Sequence, residues 1–99
     1  MDTRKYIRVG QFCSSHDIAE SFVRILQEYE VIEVVEINKE LHLHEYELPK
    51  LEKMLRLHQE LQIDPQGLQA VHHLLEKVQI LQQEVSSLRK KLRRFEDIY

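Results

Sequence analysis

Glycine and proline are scarce in this 99-residue chain, with two of each, and cysteine occurs once. So little Gly and Pro argues against a disordered or loop-rich chain. With 42% hydrophobic and 31% charged residues, the composition suits an ordered, helix-rich protein. The lone Cys13 excludes an internal disulfide, and its apolar setting beside Phe12 points to a reducing compartment, the cytoplasm. No apolar run approaches the roughly 18 residues that a membrane span requires. The opening MDTRKYIRVGQF has no apolar leader core, so neither secretion nor membrane insertion is expected. Excess positive charge is missing as well. A formal net charge of -3 and a pI near 6.1 supply no global attraction to phosphate backbones, on which nucleic-acid binders depend. There are no internal repeats or low-complexity segments, and the length is that of one domain.

What is present is a succession of short amphipathic segments and one long one. Lys5 to Val9 alternates around Tyr6, Ile7 and Val9, which predicts a strand leading into a short helix over Gly10 to Ser14. Ser15 or Asp17 is then expected to cap a second helix, because a side-chain oxygen can accept the unpaired amides of a first turn. Ile18, Phe22, Ile25, Leu26 and Tyr29 recur at helical spacing as its buried face. Val31 to Ile37 and Leu41 to His44, around the polar Asn38-Lys39-Glu40, predict a β-hairpin. A third helix is expected from about Glu47 to Leu61, with Leu48, Leu51, Met54 and Leu55 inward and Pro49 tolerated in its first turn.

Asp64 as cap with Pro65 at the first helical position predicts the start of a fourth helix. From there apolar residues fall at Val71, Leu74, Val78, Leu81, Val85, Leu88, Leu92 and Phe95, alternating steps of three and four, which is a coiled-coil seam. A helix from Pro65 to Phe95 would span roughly 45 Å, beyond the bounds of a domain of this size. Leaving the seam in water would forgo about 1.5–3 kcal/mol per residue as an upper bound, so a partner helix is expected, most simply from a second copy of the chain. Val at most a positions with Leu at most d positions suits two strands if the packing is parallel. Flanking charges such as Glu84, Arg89 and Lys90 are of the kind that select partner and orientation. The basic run Arg89 to Arg94 interleaves with Leu88 and Leu92 and has no aromatic platform, so it reads as a solvated flank, not as a nucleic-acid site. The organisation expected is a core over residues 1–64 and a dimerisation helix over residues 65–99, within one domain.

No set of residues carries catalysis. Ser14-Ser15-His16-Asp17 collects the residue types of a triad, but sequence neighbours rarely converge in the geometry a nucleophile needs, and capping explains them better. Cys13 has no activating neighbour and is assigned to the core. His42 and His44 share one side of a strand, as a metal pair would, although only Glu40 or Glu45 is near enough to add a ligand and no metal is expected. His72 and His73, adjacent on a helix, diverge by about 100° and are not expected to chelate together. The chain is read as a non-enzyme that needs no cofactor.

The order strand, short helix, helix, hairpin, helix, long helix is the layout of a MerR-type winged helix-turn-helix. Ile18 to Ile32 resembles that family's second helix, with Arg24 at its usual arginine and Val31-Ile32 where it has Gly-Leu-Leu. Glu30 replaces its turn glycine, and Ile25-Leu26 replace its aromatic pair. Over nearly the whole chain the sequence is similar to the CbpM-type chaperone modulators. Leu55-Arg56-Leu57-His58-Gln59-Glu60-Leu61-Gln62-Ile63-Asp64-Pro65-Gln66-Gly67-Leu68 carries this resemblance, with Gln11-Phe12-Cys13 upstream. It implies a mainly α fold, a MerR-like winged helix-turn-helix with a small β-hairpin and a long C-terminal coiled-coil helix. It also implies binding to the J-domain of a DnaJ-like co-chaperone, blocking that domain's access to its DnaK-type chaperone. A J-domain presents a basic helix to its chaperone, and residues 17–30 carry Asp17, Glu20, Glu28 and Glu30 against Arg24 alone, a balance that would repel phosphate. Glu20, Arg24, Glu28 and Tyr29 are the expected contact residues. The alternative is a dimeric MerR-like transcriptional regulator binding DNA through the second helix and the hairpin, for which both have little positive charge.

Overall fold

The computed structural model describes residues 5–98, so residues 1–4 and 99, the outer ends of the two expected segments, lie outside it. The elements run β1 (Tyr6–Arg8), α1 (Val9–His16), α2 (Glu20–Glu28), β2 (Val35–Ile37), β3 (Glu40–His44), a 3-10 turn (Glu45–Glu47), α3 (Leu48–Leu61) and α4 (Pro65–Ile98). The chain divides into two compact units, residues 1–69 and residues 70–99. The mainly α architecture with a helix-turn-helix, a hairpin wing and a long last helix is as expected. The sheet holds one strand more than the hairpin, because β1 pairs antiparallel with β3 (Tyr6 opposite His44) and gives the order β1-β3-β2.

The core of the first unit joins every helix to the sheet. Val9, Phe12 and Cys13 come from α1, Val23 and Leu26 from α2, Leu43 from β3, Leu51, Met54 and Leu55 from α3, and Leu68 from the first turn of α4. Complete burial of a Leu or Met side chain contributes about 1.5–3 kcal/mol. Leu26, Leu43, Leu51, Met54 and Leu68 all reach that limit. On α2 the burial is centred one position from the expected face. Val23 is fully enclosed, Ile25 is half-buried, and Ile18, Phe22 and Tyr29 pack at the margin of the core.

The first three helices all end on residues in the left-handed backbone region, and none of these is glycine: Asp17 (φ 54°), Glu30 (φ 60°) and Gln62 (φ 57°). At the end of α2 the Val31 N–H donates to the Leu26 carbonyl at 2.9 Å and the Glu30 N–H to that of Gln27 at 2.9 Å. This is a Schellman closure, with buried Val31 and Leu26 as its hydrophobic contact. Glu30 therefore holds the place where the resembling family has glycine. A left-handed non-glycine residue costs about 1–2 kcal/mol. The same closure ends α1, through Ile18 N–H to Cys13 at 3.0 Å and Asp17 N–H to Ser14 at 3.4 Å.

That closure overturns the expected cap of α2. Ser15 lies inside α1, which runs on to His16, and Asp17 is spent on ending α1. The N-cap of α2 is Ala19, with no side-chain hydrogen bond. Val31 and Ile32 are also not strand, because their side chains are used as buried anchors below the α2 closure, so β2 starts only at Val35. Glu40 pairs with Ile37, leaving a two-residue loop, Asn38 (φ 51°) and Lys39 (φ 65°). Two positive φ values in succession are the mark of a type I′ hairpin turn. The α4 start is as read from the sequence: the Gly67 N–H donates to Asp64 Oδ1 at 2.8 Å, with Pro65 as the first helical residue. Gly67 is required there, since a Cβ would sit 2.7 Å from Cγ2 of Ile63.

In the second unit α4 shows the seam on its surface. Leu74, Val78, Leu81, Val85, Leu88, Leu92 and Phe95 are each between 46% and 62% exposed, and Val71 is half-buried.

One buried charge ties the first unit together. Glu47, 4% exposed, accepts the Glu33 N–H on Oε2 at 3.0 Å and holds Lys50 Nζ at 3.3 Å from Oε1. It thereby fixes the α2–β2 link to the start of α3. Glu47→Ala leaves the Glu33 N–H without its acceptor, and thermal melts should show a loss of about 1–3 kcal/mol. Replacing exposed Glu45 the same way should change little.

Candidate partner interface

The helix-turn-helix and the wing meet at a cleft of about 660 Å³. Its charged lining is Arg8 from β1, Glu20 and Arg24 from α2, Glu36 from β2, Lys39 from the turn and Glu40 from β3, with Gln11 and Ser14 of α1 among its polar residues. Three cations thus face three carboxylates, and the one ion pair between them is Arg8 to Glu40 at 3.9 Å, with both side chains well exposed. Such a pair contributes little to stability. The carboxylate of Glu20 reaches back over α1, its Oε1 2.8 Å from where a Cβ on Gly10 would lie.

Of the four expected contact residues, the cleft gathers Glu20 and Arg24. Glu28 is exposed but does not line it. Tyr29 is half-buried, packs against the core, and its carbonyl accepts Gln69 Nε2 at 3.0 Å, so its structural duty is to the inside. Lys39, which the sequence reading counted only as weak positive charge in the wing, is brought to the same cleft as Arg24. Its signal was the Asn-Lys turn itself, where Asn-Gly is the usual pair.

The histidines are structural. His16 Nδ1 donates to the Phe12 carbonyl at 3.0 Å and its ring stacks on Phe12 at 4.1 Å. His42 Nδ1 donates to the Glu40 carbonyl at 3.0 Å, whereas His44 accepts the Tyr46 N–H, meets the Tyr6 ring edge-on and lies tilted against that of Tyr46. The two therefore do different work on one strand. His72 and His73, though adjacent, both reach Glu76 Oε1, at 3.3 and 3.6 Å. No group of three or more acidic, His or Cys residues is placed to hold a metal ion among the described residues.

The segment Leu55 to Leu68 builds the α3–α4 corner. His58 Nδ1 donates to the Ile63 carbonyl at 2.8 Å while its ring lies 4.7 Å from that of Phe22, and Asp64, Gly67 and buried Leu68 complete the turn. Cys13 is buried, as expected from its setting. Tyr46 is exposed, and its hydroxyl is pushed up from 10.0, first by the Glu33 carboxylate, then by partial desolvation, by Glu47 and by Tyr6. No helix among the described residues is long and apolar enough to cross a membrane.

The profile of the MerR HTH family of regulatory proteins matches residues 7–90, from β1 far into α4. The chain belongs to that family. Its members are regulatory proteins by description, which accords with a chain read as having no catalytic set. No curated protein and no solved structure matches the sequence or fold.

Burial, and after it the Glu20 carboxylate, pushes the Cys13 thiol above its ordinary 9.0. The folded state therefore favours the neutral thiol. Its contribution to stability is complete below about pH 9 and is lost as pH rises through the higher folded value. The stability advantage of wild type over Cys13→Ala in thermal melts should accordingly be largest near neutrality and narrow as pH rises above about 9, toward the pH-independent packing difference. A difference that stays constant with pH would remove this account.

Proposed function

We propose that the chain is a CbpM-type modulator that acts stoichiometrically. It docks on the J-domain of a DnaJ-like co-chaperone through the cleft between α2 and the β2–β3 hairpin and denies that domain its DnaK-type chaperone. The observation that carries this reading is the charge of the cleft. Where a DNA-reading helix and wing need a cationic surface, Arg8, Arg24 and Lys39 stand against Glu20, Glu36 and Glu40. A balanced surface of both signs suits a protein partner that carries both signs, and complementary patches steer such encounters and exclude wrong partners. The resemblance over Leu55 to Leu68 supports the choice of partner. The free thiol of Cys13 fits a cytoplasmic setting.

Membership in a helix-turn-helix family favours the second reading, a dimeric transcriptional regulator that reads DNA with α2 and the wing. Titration of the full chain against an isolated J-domain, and against mixed-sequence duplex DNA, at low and then physiological salt separates the two. The modulator reading expects saturable J-domain binding, weakened about tenfold or more by the cleft variant Glu20→Lys and less by Glu28→Lys, which lies outside the cleft, with negligible duplex binding. Salt-sensitive duplex binding without J-domain binding would establish the regulator instead.

The exposed seam of α4 is best satisfied by a second copy of the chain, with Val71, Leu74, Val78, Leu81, Val85, Leu88, Leu92 and Phe95 as the dimer face. Leu81→Lys or Leu88→Lys should then shift the mass measured by light scattering from dimer to monomer. A wild-type chain that is monomeric at concentrations of about 100 μM would refute the dimer.

A further inference from the structure

Two cations of the cleft, Arg24 on α2 and Lys39 in the hairpin turn, take part in no ion pair among the described residues, whereas Arg8 is opposite Glu40. Lys39 is also in the less comfortable backbone position. It is the second residue of a type I′ turn, with φ 65°, where glycine is free of strain. Asn38 beside it is a residue that tolerates the left-handed region, and lysine is not. Nothing inside the first unit explains the choice: Lys39 is exposed and makes no hydrogen bond or ion pair among the described residues. None of the left-handed positions Asp17, Glu30, Asn38, Lys39 and Gln62 is glycine, so the strain is shared; what sets Lys39 apart is that it alone of the five lines the cleft, with its ammonium unpaired among the described residues.

We propose that Lys39 is a specificity-determining residue of this cleft, and that with Arg24 it forms a two-cation clamp for a carboxylate side chain of the docked protein. The inference rests on the docking reading above and adds the chemistry of one subsite. Glu36 and Glu40 flank Lys39 in sequence and line the same cleft, so a run of phosphates would meet repulsion on either side of the clamp. A single carboxylate with a cation next to it satisfies both halves of the lining. The partner surface is therefore dipolar, with an acid set beside its basic face.

The test uses the full chain as wild type, Lys39→Gly and Lys39→Arg, each titrated with an isolated J-domain and melted thermally. Lys39→Gly is expected to melt no lower than wild type, and up to about 5 °C higher, because it relieves the turn. It should also bind the J-domain about tenfold more weakly, while Lys39→Arg stays within about threefold of wild type. Equal binding by wild type and Lys39→Gly overturns the clamp and leaves the docking reading standing. A lower melting temperature for Lys39→Gly assigns the lysine a structural duty and overturns it too. If wild type does not bind the J-domain, the docking reading falls and the clamp falls with it. Duplex DNA binding that Lys39→Gly weakens would then give the two cations to phosphate.

Discussion

The closure of α2 is the constraint on which the first unit depends. Leu26 and Val31 are both enclosed by the core and are joined by the 2.9 Å bond that ends the helix, so the helix cannot extend, shorten or rotate without opening the interior. The hairpin side of the cleft follows from that fixed end. The chain leaves it through Ile32 as a second anchor and is caught at Glu33 by the carboxylate of Glu47. Only then does it enter β2, so the hairpin turn arrives where Lys39 and Arg24 share a cavity. The two sides of the cleft are connected by buried chemistry at their bases, while their tips stay solvated.

The elements legible in the sequence were those with local or strictly periodic causes. Asp64 and Pro65 announce a helix start because capping is settled within four residues, and the α4 seam announces itself because one stripe recurs through the helix. Misreadings arose where one residue had two eligible uses. Asp17 can cap the helix after it or terminate the helix before it, and the contact of Ile18 with Cys13 decided for the latter. Val31 and Ile32 have the side chains of a strand and serve as core anchors, since burial beneath the α2 end rewards the same β-branched shape. The cleft was half legible. Glu20 and Arg24 could be suspected from the sign of α2, but the arrival of Lys39 beside them requires the hairpin to be placed, which no local pattern encodes.

Charge distribution separates this chain from what its architecture alone would suggest. A helix-turn-helix with a wing is a geometry for presenting one helix and one loop to a partner, and geometry does not choose the partner. The choice is made by side chains at the presented surface. Here both signs are mixed across α2, the three strands and the hairpin turn, and Glu20 has part of its reach turned inward over Gly10. The same division appears along the chain: the stretch with the closest family resemblance is spent on the α3–α4 corner, and the surface that would define specificity lies elsewhere.

The distribution of glycine has a consequence for how this fold can be changed. Both glycines sit in helical first turns, where a neighbouring side chain lies close, and the left-handed positions hold longer residues instead. The molecule thus carries unclaimed stability at Glu30 and Gln62, neither of which lines the cleft. Selection or engineering that rebuilds the cleft, at a cost of about a kilocalorie for the new surface, has a remedy available at those two helix ends. The surface of the cleft can therefore diverge faster than the scaffold that displays it.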